Sequence, residues 1–435
     1  LTVLLAIVFV LAVFLVEKYA NNKPLLLHNI IIVCYTLYNP ITNKIIFIVM
    51  SLWLFKLIRS KKYSFRNKYT LVIFFIGTIW LLSGIYGLLL SKTMKYDDIA
   101  SYLVSPYFNG VIWGIIISIT LRDLEEVKRF CYFYALMRLL EIGVLGLFLY
   151  FFLYESLIEW GVLLKEIIRL DVDPTKRLIS FASRNANEAA FLLIGAGGFL
   201  FQKFYLKMNF KNSVALFTMV LALLLTWTRS GWIVFIFLIL LIFMFIGKIK
   251  KKFLIMLFLG FFIILIPLGI MIIARAGSES RLLSDETIMM RFNLYYEYVT
   301  SLWKVPFFHG IFEDVWVTSD MLSISSYASS ENIFIDTYVK HGIFAGLLYS
   351  VIWGMFLYHY IKITVLARKM RTMLSTEEFY FIITIAATFF SVFVMANTSL
   401  FEQVSVFWIL FGLSIPIYKD LKSRVRAPER KESDL

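Results

Sequence analysis

Apolar runs separated by short polar connections follow one another from the first residue of this chain to about position 418. Many are near 20 residues long, as at 70–90, 101–121, 130–156, 253–274, 342–361 and 379–398. A helix of that length crosses about 30 Å of hydrocarbon. A membrane interior offers no water to the backbone, so such runs read as helices whose hydrogen bonds close within each segment. Further spans are expected near 1–16, 25–39, 44–58, 188–204, 213–228, 232–247 and 400–418. That makes about 13 helices, with 12 equally compatible because the first three runs are short. The expected fold is a single all-α transmembrane bundle over 1–435, with neither an internal repeat nor a second domain.

One connection breaks the pattern. Residues 275–341 form a long, polar, mixed-charge insertion. Within it, Thr287 to Trp303 spaces Ile288, Phe292, Tyr295, Val299 and Leu302 as one face of an amphipathic helix, ended by Pro306. Ser323 to Ser330 reads as a Ser-rich linker, and Asn332 to Lys340 as a short helix leading into the next span.

Composition agrees with the pattern: 60% of the 435 residues are hydrophobic and only 17% are charged. Soluble domains carry about 25% charged residues. The net charge of +14 comes from short clusters between spans, such as Arg59 to Lys68, Lys203 to Lys211, Lys248 to Lys252, Lys362 to Arg371 and the tail 419–435. This distribution marks cytoplasmic loops rather than a nucleic-acid surface. With the tail inside, 275–341, the turn at Arg229 and 157–187 all fall outside. Cys34 and Cys131 lie in apolar runs, and His28, His309, His341 and His359 are scattered, so neither a disulfide framework nor a metal site is expected. The first run lacks a basic leader and a small-residue cleavage site, so no cleavable signal peptide is expected.

The charged residues on or near the outer side carry the candidate chemistry. Arg229, in Thr228-Arg229-Ser230-Gly231, sits between two apolar runs. It reads either as an arginine snorkelling to the headgroups or as a clamp whose planar fork matches phosphate oxygens. Arg138 and Glu141 lie three apart in the middle of a span, so they can neutralise each other or meet a lipid-linked substrate. Asn187 and Glu188 stand where a helix should begin, and capping accounts for them; Arg177 has no such local role. Arg291 sits in the amphipathic helix. Glu331, with Asn332, either caps a helix or serves as a general base, with Asp314, Asp320 and Asp336 as competitors. Together these residues suit a polyanionic diphosphate on a membrane lipid.

Four stretches add a resemblance. They are Arg177-Leu-Ile-Ser-Phe with Asn185-Ala-Asn187-Glu; Thr226-Trp-Thr-Arg229-Ser-Gly-Trp; Met290-Arg291-Phe-Asn-Leu-Tyr with Val305-Pro-Phe-Phe-His-Gly310; and Glu331-Asn-Ile-Phe-Ile-Asp through His341-Gly-Ile-Phe-Ala-Gly346. In order and topology this set resembles the O-antigen ligase and O-antigen polymerase superfamily of bacterial membrane glycosyltransferases. The resemblance implies inverting glycosyl transfer from an undecaprenyl-diphosphate-linked oligosaccharide, without a metal or other cofactor, on the outer face of the cytoplasmic membrane. Glu331, Arg291 and Arg229 would then be catalytic. Arg177, Asn187, Asn332, Arg138, Glu141, His309 and His341 would bind substrate. Two positions depart from the family pattern: Glu331 stands where its ligases carry His, and Ala186 where Pro is usual. The missing His points to a polymerase of O-antigen or capsule repeat units, with a chain-length regulator as a conceivable partner. A ligase and a non-enzymatic lipid-linked oligosaccharide flippase are the alternatives.

Overall fold

The computed structural model describes scattered positions between 71 and 86, and residues 106–163, 172, 176–179, 185–246, 307, 333–396 and 404–433. Among these residues every regular element is helical: α1 (Pro106–Thr120), α2 (Leu124–Glu159), α3 (Ala186–Leu206), α4 (Phe210–Leu225), α5 (Arg229–Ile246), α6 (Ile333–Lys369), α7 (Thr376–Ala396) and α8 (Val404–Ser433). The spans expected before 70 and at 253–274 lie outside the described residues, as do the amphipathic helix at 287–303 and the Ser-rich linker.

Helix ends follow capping chemistry more closely than they follow the edges of apolar runs. α2 begins six residues before its apolar run. The Asp123 side chain accepts the Glu126 N–H at 2.8 Å, while the Glu126 carboxylate accepts the Arg122 N–H at 2.8 Å. These bonds satisfy the Glu126 amide at the helix end and the Arg122 amide just before it. Ser375 and Glu378 exchange both bonds as a reciprocal capping box at the start of α7. Asn209 caps α4, which therefore starts at Phe210 rather than at the expected 213.

α3 and α7 form the centre. Their apolar windows are 78% and 72% buried, against 39% for α2 and for α5. The outer helices turn apolar side chains outward, as in the row Leu140, Val144, Phe148 and Phe152 on α2. Hydrocarbon rather than water solvates such a row in a bilayer. That row repeats every four residues because two π-helical turns, Leu139–Val144 and Leu149–Leu153, widen α2.

α1 and α8 pack backbone against backbone. A Cβ on Gly412 would lie 2.5 Å from the Gly114 carbonyl oxygen, and one on Gly114 would lie 2.8 Å from that of Trp408. Gly412→Val must push these helices apart, at a cost of about 1–3 kcal/mol for overpacking. The expected outcome is a lower thermal unfolding midpoint in detergent, and an unchanged midpoint would contradict this close approach.

Among the described residues the basic connections gather at one end of the bundle. Lys128 bridges Glu125 at 2.7 Å and Glu377 at 3.2 Å, and Arg424 bridges Glu378 at 2.9 Å and Asp420 at 3.0 Å. Burial pushes the Asp420 carboxyl up, and the Arg424 guanidinium pulls it partly back. Lys203 lies over the Tyr132 ring, and Arg368 over Phe245. The opposite end holds the start of α3, the α4–α5 turn and the bend in α6.

Candidate functional site

At that second end, residues 176–179 thread between three helices. Lys176 turns the corner with φ 53°, placing its Nζ 5.3 Å from the Tyr150 ring centre and 5.9 Å from that of Tyr154. The Arg177 N–H donates to the Tyr154 hydroxyl at 3.0 Å, and the Leu178 N–H to the Leu225 carbonyl at 2.8 Å. Leu178 and Ile179 are buried. Gly146 lets the segment approach α2, since a Cβ there would lie 3.2 Å from the Ile179 carbonyl oxygen.

The Arg177 side chain ties the surrounding pieces together. Its Nε donates to the Thr226 carbonyl at 2.9 Å, and its Nη2 to Asn187 Oδ1 at 2.7 Å and Thr228 Oγ1 at 3.1 Å. The Thr228 hydroxyl in turn donates to Asn187 Oδ1 at 3.1 Å. These three partners are neutral, so none of them cancels the guanidinium charge.

The turn that presents these acceptors is made locally. α4 stops at Leu225 because Trp227 takes φ 53°. That conformation is unusual for a bulky side chain and costs on the order of 1–3 kcal/mol. The surroundings hold it. Thr226 and Thr228 are buried, the Trp227 ring packs on Trp232 at 6.1 Å, and Trp232 Nε1 donates to the Leu223 carbonyl at 3.0 Å. Gly231 admits α3, since a Cβ there would lie 3.0 Å from that of Ala190.

One expectation is corrected here. Asn187 does not cap α3. The cap is Asn185, whose side chain accepts the Glu188 N–H at 2.9 Å, leaving Asn187 to face Arg177 and Thr228. Arg229 is exposed as the first residue of α5, while Thr226, Thr228 and Gly231 of its motif are buried. A cation at a helix N-terminus is opposed by the helix dipole, so the dipole supplies no structural reason for Arg229.

Arg138 and Glu141 pair at 3.2 Å, with Arg138 3% exposed and 5.2 Å from the Tyr134 ring centre. Arg138 lies sixteen residues before Tyr154, the residue that touches Arg177. That is roughly 24 Å along a helix, so the structure does not bring this pair into the Arg177 cluster.

The bend in α6 belongs to the same end. Gly342 breaks the helix with φ 89° and ψ 168°, a region open essentially to glycine alone. The segment before it folds back, so that a Cβ on Gly346 would run into the Tyr338 ring. Phe334 packs against Tyr349, Trp353 and Phe393. Phe307, from the long insertion, accepts the Phe344 N–H at 3.0 Å through its carbonyl, and the two rings lie 5.7 Å apart. Two motifs far apart in sequence, around Phe307 and around Gly342–Gly346, therefore meet. Arg291, His309, Glu331, Asn332 and the side chain of His341 lie outside the described residues; Asn332 immediately precedes the first residue of α6.

Tyr154 was not legible as a site residue. It belongs to an aromatic-rich span, and nothing in its spacing marks it out. Thr226 and Thr228 lie inside the motif around Arg229, but a neutral hydroxyl beside an arginine carries no signal of its own in the sequence. Among the described residues no group of three or more His, Cys, Asp or Glu is placed to hold a metal ion.

Residues 214–350 match the family described as O-Antigen ligase. The matched stretch includes the Thr226–Gly231 turn, the long insertion and the bend at Gly342–Gly346, while Arg177 and Asn187 precede it. No curated protein matches the chain.

Proposed function

We propose that this chain, a member of the O-antigen ligase and polymerase superfamily, is a membrane polysaccharide polymerase. It joins undecaprenyl-diphosphate-linked repeat units of O-antigen or capsule on the outer face of the bacterial cytoplasmic membrane. The observation that carries this reading is the meeting of Arg177, Asn187, Thr228 and the Arg229 turn at one end of the bundle. The opposite end collects the basic connections, as cytoplasmic loops do.

In the proposed step, the acceptor sugar hydroxyl attacks the anomeric carbon of the donor from the face opposite the diphosphate. A new C–O glycosidic bond forms, the bond from that carbon to the diphosphate oxygen breaks, and the hydroxyl proton passes to Glu331. Undecaprenyl diphosphate departs as the anion. Arg229 and Arg291 hold the diphosphate and stabilise its growing charge, and Arg177 adds positive potential while ordering the turn. Asn332, His309 and His341 belong to the acceptor side in this reading, and Arg138 with Glu141 to the lipid-facing passage.

The test uses purified protein in nanodiscs with a synthetic undecaprenyl-diphosphate repeat unit, the glycan being resolved by gel and mass analysis. A ladder of multimers is expected. Arg229→Ala or Arg291→Ala should lower its formation by about 10²–10³-fold, as removal of one charge-stabilising donor does. Glu331→Gln should lower it by about 10²–10⁴-fold, the range for general-base loss. A full ladder from both arginine variants would remove the clamp. The family description favours a second reading, a ligase, which would consume donor only when a different acceptor is supplied. Lipid moving between leaflets without turnover would mean a transporter.

A further inference from the structure

The end of the bundle remote from the Arg177 site carries an open cavity of about 560 Å³, bordered by Tyr132, Lys203, Leu206, Lys207, Asn212 and Glu377 among others. Its volume lies in the range of small-molecule sites, about 300–1,000 Å³. α3 links the two ends, since Asn187 stands in its first turn and Lys203 in its last. The cavity thus lies roughly 24 Å along α3 from Asn187, most of the way across a hydrocarbon core of about 30 Å and so on the side of the other leaflet.

Its polar groups divide by employment. Asn209 caps α4, and Asn212 Nδ2 donates to the Lys203 carbonyl at 3.2 Å and the Lys207 carbonyl at 2.8 Å. The asparagines therefore brace the turn that carries the lysines. Glu377, the acid on the rim, is engaged by Lys128 at 3.2 Å. Among the described residues Lys203, Lys207 and nearby Lys211 form no ion pair, and the Lys203 ammonium lies 4.1 Å from the Tyr132 ring centre. What remains to meet a ligand is positive charge. Immediately beside it, Phe210, Val214 and Phe217 form an exposed apolar row at i, i+4 and i+7 along α4, 85%, 45% and 67% exposed.

We infer that this cavity binds the headgroup of an anionic phospholipid, its phosphate held by Lys203 and Lys207 and an acyl chain lying along Phe210, Val214 and Phe217. Lysines in a pocket between helix ends supply the charge, and the adjoining apolar row explains why a lipid is the occupant rather than a soluble anion. The inference stands apart from the polymerase reading, because it uses neither the same residues nor the same end of the molecule.

Native mass spectrometry of the full chain in detergent, titrated with phosphatidylglycerol or phosphatidylcholine, tests it. Phosphatidylglycerol should be retained at least tenfold better than phosphatidylcholine. A Lys203→Gln/Lys207→Gln double variant should lose that preference, and the corresponding double arginine variant should keep it. Equal retention of the two lipids, or a glutamine variant that still selects phosphatidylglycerol, would overturn the site. Photo-crosslinking the wild-type chain with a diazirine-bearing phosphatidylglycerol keeps the test independent of variant folding. Adducts within 206–217 are expected, and adducts confined to other helices would overturn it. Inorganic pyrophosphate bound as tightly as phosphatidylglycerol would replace the lipid with a soluble anion and refute the assignment.

Discussion

Arg177→Lys should lower the proposed glycan polymerisation by about 100-fold while leaving the chain in the membrane, because the fork of the guanidinium rather than its charge organises the site. In the wild-type chain one planar group reaches the Thr226 carbonyl, Asn187 and Thr228 together. A lysine ammonium carries the same charge but cannot satisfy acceptors spread around two edges of a fork. Hydrogen bonds to charged donors contribute about 1.5–3 kcal/mol each, with incomplete additivity. Losing two of them predicts about 3 kcal/mol, which as a barrier change is about 100-fold. Arg177→Ala should be worse, because it leaves the buried Thr226 carbonyl without this donor and releases the strained Trp227 turn. Polymer length in cells and turnover in nanodiscs would both report the loss. If Arg177→Lys polymerises at the wild-type rate, Arg177 acts only as a diffuse positive charge. An intact ladder from Asn187→Ala would show further that the network does not position the turn.

Gly342→Ala and Gly346→Val should each abolish the proposed polymerisation with helical content nearly unchanged. At Gly342 the obstacle is the backbone. With φ 89° and ψ 168° an alanine Cβ meets its own chain, and such a conformation costs about 1–3 kcal/mol or more for a non-glycine residue. At Gly346 the obstacle is space, because the Tyr338 ring occupies the position a side chain would take. Either change would straighten or displace the segment before the bend, and Glu331-Asn332 stands at its head. The proposed base, Glu331, would then be misdirected, and a misplacement near 1 Å already costs about 100-fold in rate. Circular dichroism should show the helices retained while the ladder vanishes. A Gly346→Ala variant that remains active would show that Tyr338 yields easily and that the contact does not set the bend. Adding Tyr338→Ala to Gly346→Val should restore part of the activity if crowding is the cause.

Much of the bundle was legible from hydrophobic runs, and the reason is the solvent. A bilayer demands about 20 apolar residues per crossing, so 101–121, 188–204, 232–247 and 379–398 announce α1, α3, α5 and α7 within five positions, and 342–361 falls inside the longer α6. The ends were less legible. Asp123 with Glu126, and Asn209, start helices inside charged or polar sequence, where capping chemistry overrides hydropathy. The break at Gly342 was legible as the gap between the short helix at 332–340 and the span at 342–361, but the way that short helix folds back was not, since it depends on Tyr338 lying over Gly346.

The motifs around Arg177, Asn187 and Arg229 were visible as unusual residues at the edges of apolar runs, but their roles were partly interchanged. Asn187 looked like a cap because both Asn185 and Asn187 have the right chemistry. Only the backbone decides, and it gives the cap to Asn185. Arg229 stood out because it is a charge between two apolar runs, whereas the structure places Thr226 and Thr228 in the interior and leaves Arg229 exposed at the start of α5. By itself, the sequence determined that this chain crosses a membrane many times and which end of the bundle collects positive charge, because both follow from local transfer energies summed along the chain. The tertiary structure alone decided that Arg177 meets Asn187, Thr226 and Thr228, since those contacts join residues 10 to 51 positions apart through three helices. Which polar groups pair at that distance depends on how the helices pack, and no local pattern encodes it.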